Sequence, residues 1–246
     1  MHLTKDQEDI LLRCTAAIVC KDQNGVPNTG TSFWFQTESG EKYLVTNKHV
    51  IENKESVTIY CSVINEFDFS VKTDKIVVEL KGNSYLSETA DLGAIRVTEL
   101  FKQYKIMCRF LTTDLIKTKY DEYSLIEDVI MVGYPSGLLF EEANRPFIRV
   151  GTTASDLRLI KDSQDAFYLD IQAAEGSSGS PVFIIKDDSV ELIGINKEDR
   201  IIPSYVHKKE KDNTEIKFSL YIKEDTGISI CENGIALIEF LDIIRV

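Results

Sequence analysis

The sequence predicts an all-β fold, a sandwich or a pair of barrels, and three observations carry that expectation. Short apolar runs recur at 14–20, 32–36, 43–46, 57–63, 75–80, 92–97, 126–133, 147–150, 167–172, 182–185, 191–195 and 217–222. Polar turn clusters separate them: Gln23-Asn24-Gly25, Glu38-Ser39-Gly40, Gly82-Asn83-Ser84 and Lys186-Asp187-Asp188. Short strands at this spacing fit an antiparallel sandwich or barrel better than βαβ units. About twelve strands suit two barrels packed side by side, with a crossover somewhere in 100–125. That middle segment lacks a clear period, and its structure stays open.

The ends read differently. Residues 4–12 form a short helix on the pattern, with Thr4 and Gln7 spaced as a capping box and Ile10, Leu11 and Leu12 behind them. Near the other end Leu237, Phe240, Leu241 and Ile244 fall at i, i+3, i+4 and i+7. This predicts an amphipathic closing helix over 232–245, docked on a barrel. Residues 198–215 are dense in charge (Lys208-Lys209-Glu210-Lys211-Asp212) and read as an exposed loop or insertion.

With 43% apolar and 28% charged residues, the 246-residue chain has the composition of a globular protein rather than of a disordered or membrane one. A net charge of −12 argues against binding a phosphate backbone, which needs a basic surface, so no nucleic-acid partner is expected. The stretch from Met1 to Asp9 carries charge where a signal peptide needs an apolar core. No apolar run approaches the roughly 20 residues that span a bilayer. No membrane partner is expected. Cysteines number five, at 14, 20, 61, 108 and 231. Were Cys14 and Cys20 on one strand, they would lie about 20 Å apart, far beyond disulfide reach. The thiols therefore read as buried and reduced, and the expected location is cytoplasmic.

The chemistry gathers at Ala174-Glu175-Gly176-Ser177-Ser178-Gly179-Ser180-Pro181, which leads into the apolar run Val182-Phe183-Ile184-Ile185. Such pentads are commonly plain flexible turns. Glycines on both sides also let a backbone turn so that two amides point at one spot, where an oxyanion forms if Ser178 attacks a carbonyl. A serine needs a base and an orienter. Of the three histidines, His2 and His207 lie in polar, charged surroundings and read as solvated. His49 ends the run Tyr43-Leu44-Val45-Thr46-Asn47-Lys48-His49-Val50-Ile51, a strand leading into a single helical turn. Histidine is the side chain best suited to take a proton at neutral pH. The carboxylate candidate is Asp91, because the small and apolar residues after it, Leu92-Gly93-Ala94-Ile95, would bury it, and a buried carboxylate needs a partner. No cofactor and no metal site is expected.

The order His…Asp…Ser is one of three chain orders known for the serine-protease triad, that of the double-β-barrel enzymes. On these residues the chain resembles a trypsin-like (chymotrypsin-fold) serine protease, of the bacterial type represented by the HtrA proteases. The matching pieces are Gly30-Thr31-Ser32-Phe33, Leu44 to Ile51, Asp91 to Ile95, Val132-Gly133-Tyr134-Pro135-Ser136-Gly137, Gly176 to Pro181 and Leu192-Ile193-Gly194-Ile195-Asn196. The resemblance implies two packed six-stranded antiparallel barrels, about 13–110 and 120–230, in a single peptidase domain. It implies a serine endopeptidase working through an acyl-enzyme, with Ser178 as nucleophile, His49 as base and Asp91 as orienting acid. The oxyanion hole falls to the Gly176 and Ser178 amides, with Ser177 between them.

The resemblance also places the specificity pocket. Its floor falls at Gln172 with Ala173 beside it, where a trypsin-type pocket needs an acid. Strict Arg/Lys preference is therefore disfavoured, although Asp170, Glu175 or Glu198 can supply charge from elsewhere. Gly194, Ile195 and Asn196 complete the substrate-binding set, on a groove along 194–198. Ser177 stands where digestive relatives carry Asp, and no Ile-Val-Gly-Gly start is present, so activation by N-terminal cleavage is not expected. The enzyme is ready on folding or ordered by a regulatory protein partner, and the chain leaves no room for a PDZ module after the barrel. The competing readings are a protease-fold binding module, or a latent protease awaiting a partner, and another acyl hydrolase using the same triad. The expected partner in the leading reading is a protein or peptide substrate.

Overall fold

The computed structural model describes residues 2–21, 25, 27–135, 145–187, 189–209 and 215–244, with 199–225 described by their backbone. Gln23, Asn24, Ser136, Gly137, Asp188 and Glu210 to Asp212, read above as turn, motif or loop positions, lie outside the described residues. Thr4 opens helix α1 (Lys5–Arg13) with the expected capping box: the Gln7 amide donates to Thr4 Oγ1 at 3.3 Å, and the Thr4 amide donates to Gln7 Oε1 at 2.9 Å. Ile10 and Leu11 turn inward, and Leu12 turns out.

The first lobe is one antiparallel sheet of β1 (Thr15–Lys21), β2 (Pro27–Gln36), β3 (Lys42–Thr46), β4 (Ser56–Ile64), β5 (Val71–Glu79), β6 (Ser84–Leu86) and β7 (Gly93–Arg96). A one-turn helix α2 (Lys48–Ile51) follows β3. The strand order is β5-β4-β1-β2-β3-β7-β6. Period-two alternation is plain in β4, where Val57, Ile59, Cys61 and Val63 are buried and the residues between them are half-exposed. The lobe has seven strands rather than six. The extra one is β6, hidden behind the turn cluster that leads into it, which pairs Tyr85 with Ala94 of β7.

The segment from 100 to 125 is the crossover between lobes. After a short helix α3 (Leu100–Gln103) it lies along β2, where the Leu111 amide donates to the Trp34 carbonyl and Leu111 accepts from Gln36. It then reaches the second lobe, with the Lys117 amide donating to the Leu192 carbonyl. That lobe is a closed barrel of β8 (Asp128–Gly133), β9 (Phe147–Thr153), β10 (Phe167–Asp170), β11 (Pro181–Lys186), β12 (Ser189–Lys209) and β13 (Glu215–Asn233). Its order is β10-β13-β12-β11-β8-β9. The chain is thus mostly β, as its apolar rhythm predicts.

One expectation fails here. The charged stretch 198–215 is not a loop over most of its length: β12 runs on to Lys209 and pairs with β13, with Tyr205 opposite Tyr221 and Val206 opposite Leu220. Charge density masked a run of β-branched and aromatic residues (Ile201, Ile202, Tyr205, Val206) that favours a strand. His207 accordingly lies on β12, not in a loop.

A third element of order is the seam between lobes. Phe33, Phe35 and Val45 of the first sheet meet Phe183, Leu192 and Ile195 of the barrel in one buried cluster. Ile10 and Leu11 of α1 and Leu237, Phe240 and Leu241 of α4 (Gly234–Ile244) belong to the same cluster. Both terminal helices therefore seal the seam, and α4 docks across two lobes rather than on one. Tyr43 on β3 donates from its hydroxyl to the Ile244 carbonyl at 3.1 Å, fixing the far end of α4.

Candidate active site

His49 and Asp91 come from the first lobe. Helix α2 begins as β3 ends, and its N-terminal turn folds around Asp91: Asn47 Nδ2 and the Lys48 amide both donate to the Asp91 carbonyl, at 2.8 and 3.3 Å. The His49 amide donates to Asp91 Oδ1 at 3.0 Å, and His49 Nδ1 bonds Oδ2 at 2.6 Å. An ionised carboxylate only accepts, so Nδ1 is the donor in this bond, and in the neutral ring Nε2 then carries the lone pair. The imidazole is 46% exposed while the carboxylate is 15% exposed, so the acid is fixed and the base can be reached.

Ser178 comes from the second lobe, in the loop before β11. Gly176 and Gly179 have φ of +89° and +88°. At Gly179 a Cβ would lie 2.0 Å from the Thr31 carbonyl oxygen, so backbone sign and space both demand glycine there. Thr31 on β2 ties the loop to the first lobe. Its amide donates to the Ser178 carbonyl at 2.8 Å, and its hydroxyl donates to the Gly176 carbonyl at 2.9 Å. Thr46 Oγ1 in turn donates to the Thr31 carbonyl at 2.7 Å.

This bonding turns the Gly176 carbonyl toward Thr31. Among the described residues, neither the Gly176 nor the Ser178 amide donates to a protein acceptor. Ser177 differs: its amide donates to the Ala174 carbonyl at 2.8 Å, and its hydroxyl accepts from the Ala174 amide. Its amide is thus committed inside the loop, while its hydroxyl keeps a hydrogen to donate. The Ser178 hydroxyl donates to the Lys197 carbonyl at 3.2 Å, and no hydrogen bond joins it to His49 among the described residues.

The residues expected to bind substrate divide into two groups. Gln172 and Glu175 are exposed, and the Gln172 carbonyl accepts from the Arg149 guanidinium. Ala173 and Ile195 are buried in apolar clusters, and a Cβ on Gly194 would meet the Glu232 carbonyl at 2.2 Å. Asn196 is buried beneath the nucleophile and donates from Nδ2 to the Ser177 carbonyl at 3.2 Å. It braces the loop.

The Trypsin-like peptidase domain family model matches residues 30–195, about two thirds of the sequence. The chain belongs to the trypsin-like peptidase family. No curated protein matches it in sequence. Solved structures share the fold at low identity. An HtrA-type protease, AlgW with a tripeptide, is 14% identical at a TM-score of 0.53, covering 95% of this chain and 59% of its own. The serine endoprotease from Yersinia pestis is 13% identical at 0.55, covering 99% and 67%. An inactivated protease paralogue from the scabies mite is 14% identical at 0.55, covering 95% of both chains. The chain spans 59% of the length of that HtrA-type protein.

Sequence reasoning missed Thr31 as a brace, although it lies in the motif Gly30-Thr31-Ser32. Among the described residues no cluster of His, Cys, Asp and Glu forms a metal-ligand set.

Proposed function

We propose that this trypsin-like peptidase is a serine endopeptidase acting through an acyl-enzyme. One observation carries the reading: the 2.6 Å His49–Asp91 bond leaves Nε2 as a base, in a chain whose Ser178 loop holds two amides without protein acceptors. In the proposed sequence the Ser178 hydroxyl rotates from the Lys197 carbonyl toward His49 and attacks the scissile carbonyl. His49 takes the proton and returns it to the leaving amine, and Asp91 stabilises the imidazolium. The Gly176 and Ser178 amides receive the oxyanion. Water then repeats the cycle on the acyl-enzyme. Active-site hydrogen bonds commonly tighten only with substrate bound, so the free serine rotamer fits this scheme. The substrate is a protein or peptide, and Gln172 and Glu175 on the segment leading to Ser178 are exposed to meet it. All five cysteines are free, which supports action in a reducing, cytoplasmic setting.

A second reading is favoured by the Ser178–Lys197 bond: a latent protease, or a binding module, whose serine a partner must release. Labelling of the purified protein with a fluorophosphonate, mapped to a peptide, separates the two. Labelling at Ser178 that disappears in Ser178→Ala and His49→Ala supports the enzyme. A folded wild type that stays unlabelled overturns the self-sufficient enzyme and supports the second reading.

A further inference from the structure

Asp91 has a second set of neighbours besides His49. Its amide donates to Glu232 Oε1 at 3.2 Å, and the same oxygen is paired with Lys197 Nζ at 3.1 Å. Glu232 is on β13 and Lys197 on β12, so the second lobe reaches across the seam to hold the acid of the first. The Glu232 side chain is 11% exposed and that of Lys197 is 36% exposed. Residue 197 also touches the nucleophile, because its carbonyl accepts from Ser178 Oγ. Partial burial pulls the Lys197 ammonium down, yet Glu232, with Asp91 and Glu198 beyond it, outweighs that and leaves it raised.

We propose that Lys197 and Glu232 are positioning residues, a neutral ion pair that sets the place and the field of Asp91. The inference rests on the peptidase reading of His49, Asp91 and Ser178. Neither residue suffices alone. A bare Glu232 carboxylate beside Asp91 is a like charge, and one of the two would tend to take up a proton. A protonated Asp91 could not stabilise an imidazolium. A bare Lys197 ammonium would pair with Asp91 itself and compete with the imidazole. Together the two charges cancel, while Glu232 keeps its grip on the Asp91 amide.

Among the described residues, Asp91 from the turn before β7 bonds the imidazole, and Lys197 from β12 and Glu232 from β13 stand behind it, with Glu198 acting on Lys197. On its own helix Lys48 is turned aside, to the Ser87 carbonyl at 3.0 Å and to Glu52 at 3.8 Å. The test is an NMR titration of His49, readily assigned in a chain with three histidines. It is run on wild type, Lys197→Met, Glu232→Gln and the double variant. Losing the cation favours the imidazolium, so Lys197→Met should titrate at higher pH. Losing the anion disfavours it, so Glu232→Gln should titrate at lower pH, each by about half a unit or more. The double variant should return close to wild type, and Lys197→Arg should match it.

Equal shifts of one sign, or none, would overturn the inference, since a merely structural pair moves both variants alike. Should Lys197→Met not fold, Lys197→Gln carries the same comparison. Fluorophosphonate labelling of the same samples keeps the two claims apart. The titration judges the ion pair even if wild type does not label, and an unlabelled wild type would defeat the self-sufficient enzyme without touching the ion pair. If wild type labels, the Glu232→Gln rate should fall roughly 10- to 100-fold, the scale of a slightly misplaced catalytic group.

Discussion

Thr31 and Ser178 are joined through their main chains: the Thr31 amide donates to the Ser178 carbonyl at 2.8 Å, across the seam between lobes. The Thr31 hydroxyl adds a bond to the Gly176 carbonyl and accepts one from the Tyr134 amide, at 2.9 Å each. Thr31→Val keeps the shape and strands two buried partners, at roughly 1–3 kcal/mol each. The expected result is a lower melting temperature together with slower labelling of Ser178. Thr31→Ser should restore most of both.

Gly179 tests the same junction from the other side. Gly179→Ala meets the Thr31 carbonyl oxygen at 2.0 Å and Thr46 Oγ1 at 2.5 Å, in a backbone of φ +88°. The loop must move, and the Ser178 amide moves with it. The labelling rate should fall by about 10²–10³, the scale of one lost oxyanion donor, with the far-UV circular dichroism unchanged.

For the proposed triad, Ser178→Ala or His49→Ala should lower peptide hydrolysis by about 10⁶-fold. Asp91→Asn, which imposes the wrong tautomer on His49, should lower it by about 10⁴-fold. Single-turnover kinetics on a fluorogenic peptide checks both magnitudes. An Asp91→Asn variant as active as wild type would remove Asp91 from the mechanism.

These three side chains were legible in the sequence as candidates because the chemistry restricts residue type as well as order. Glu232 was not, since 141 positions separate it from the Asp91 amide it holds, and a glutamate near a chain end carries no local signature. Ala173 and Ile195 fell on the expected segments and are buried, which counting along the chain does not reveal. The β12–β13 pairing beyond 198 was hidden by the charge of its tip, and β6 by the turn that precedes it. The apolar alternation of β4 and the capping box at Thr4 were readable because each is a local pattern with a local cause.

Phe240 is 2% exposed in the cluster that joins the lobes. Phe240→Ala should cost about 3–5 kcal/mol in chemical unfolding, as a large buried ring replaced by a cavity does. Both lobes should lose stability in one transition, read as coincident fluorescence and circular-dichroism curves.

Buried thiols set the response to alkali. Burial pushes Cys20 up to about 11 and Cys61 up to about 12, from an ordinary 9.0. The unfolded thiols ionise near pH 9 while the folded ones keep their protons, so this stability is complete below that pH and declines as pH rises toward 11 and 12. Urea midpoints should therefore fall between pH 9 and 11. The slope should be shallower in Cys61→Ala, whatever that variant loses at pH 8.

The seam also sets when the site can exist. During synthesis His49, Asp91 and Ser178 all leave the ribosome before Glu232, which anchors Asp91, and before α4, which closes the cluster between the lobes. A nascent chain thus carries the three groups of the proposed mechanism well before it has the pieces that lock them together. On that mechanism, hydrolytic power would arrive late in translation, once the barrel's last strand is in place.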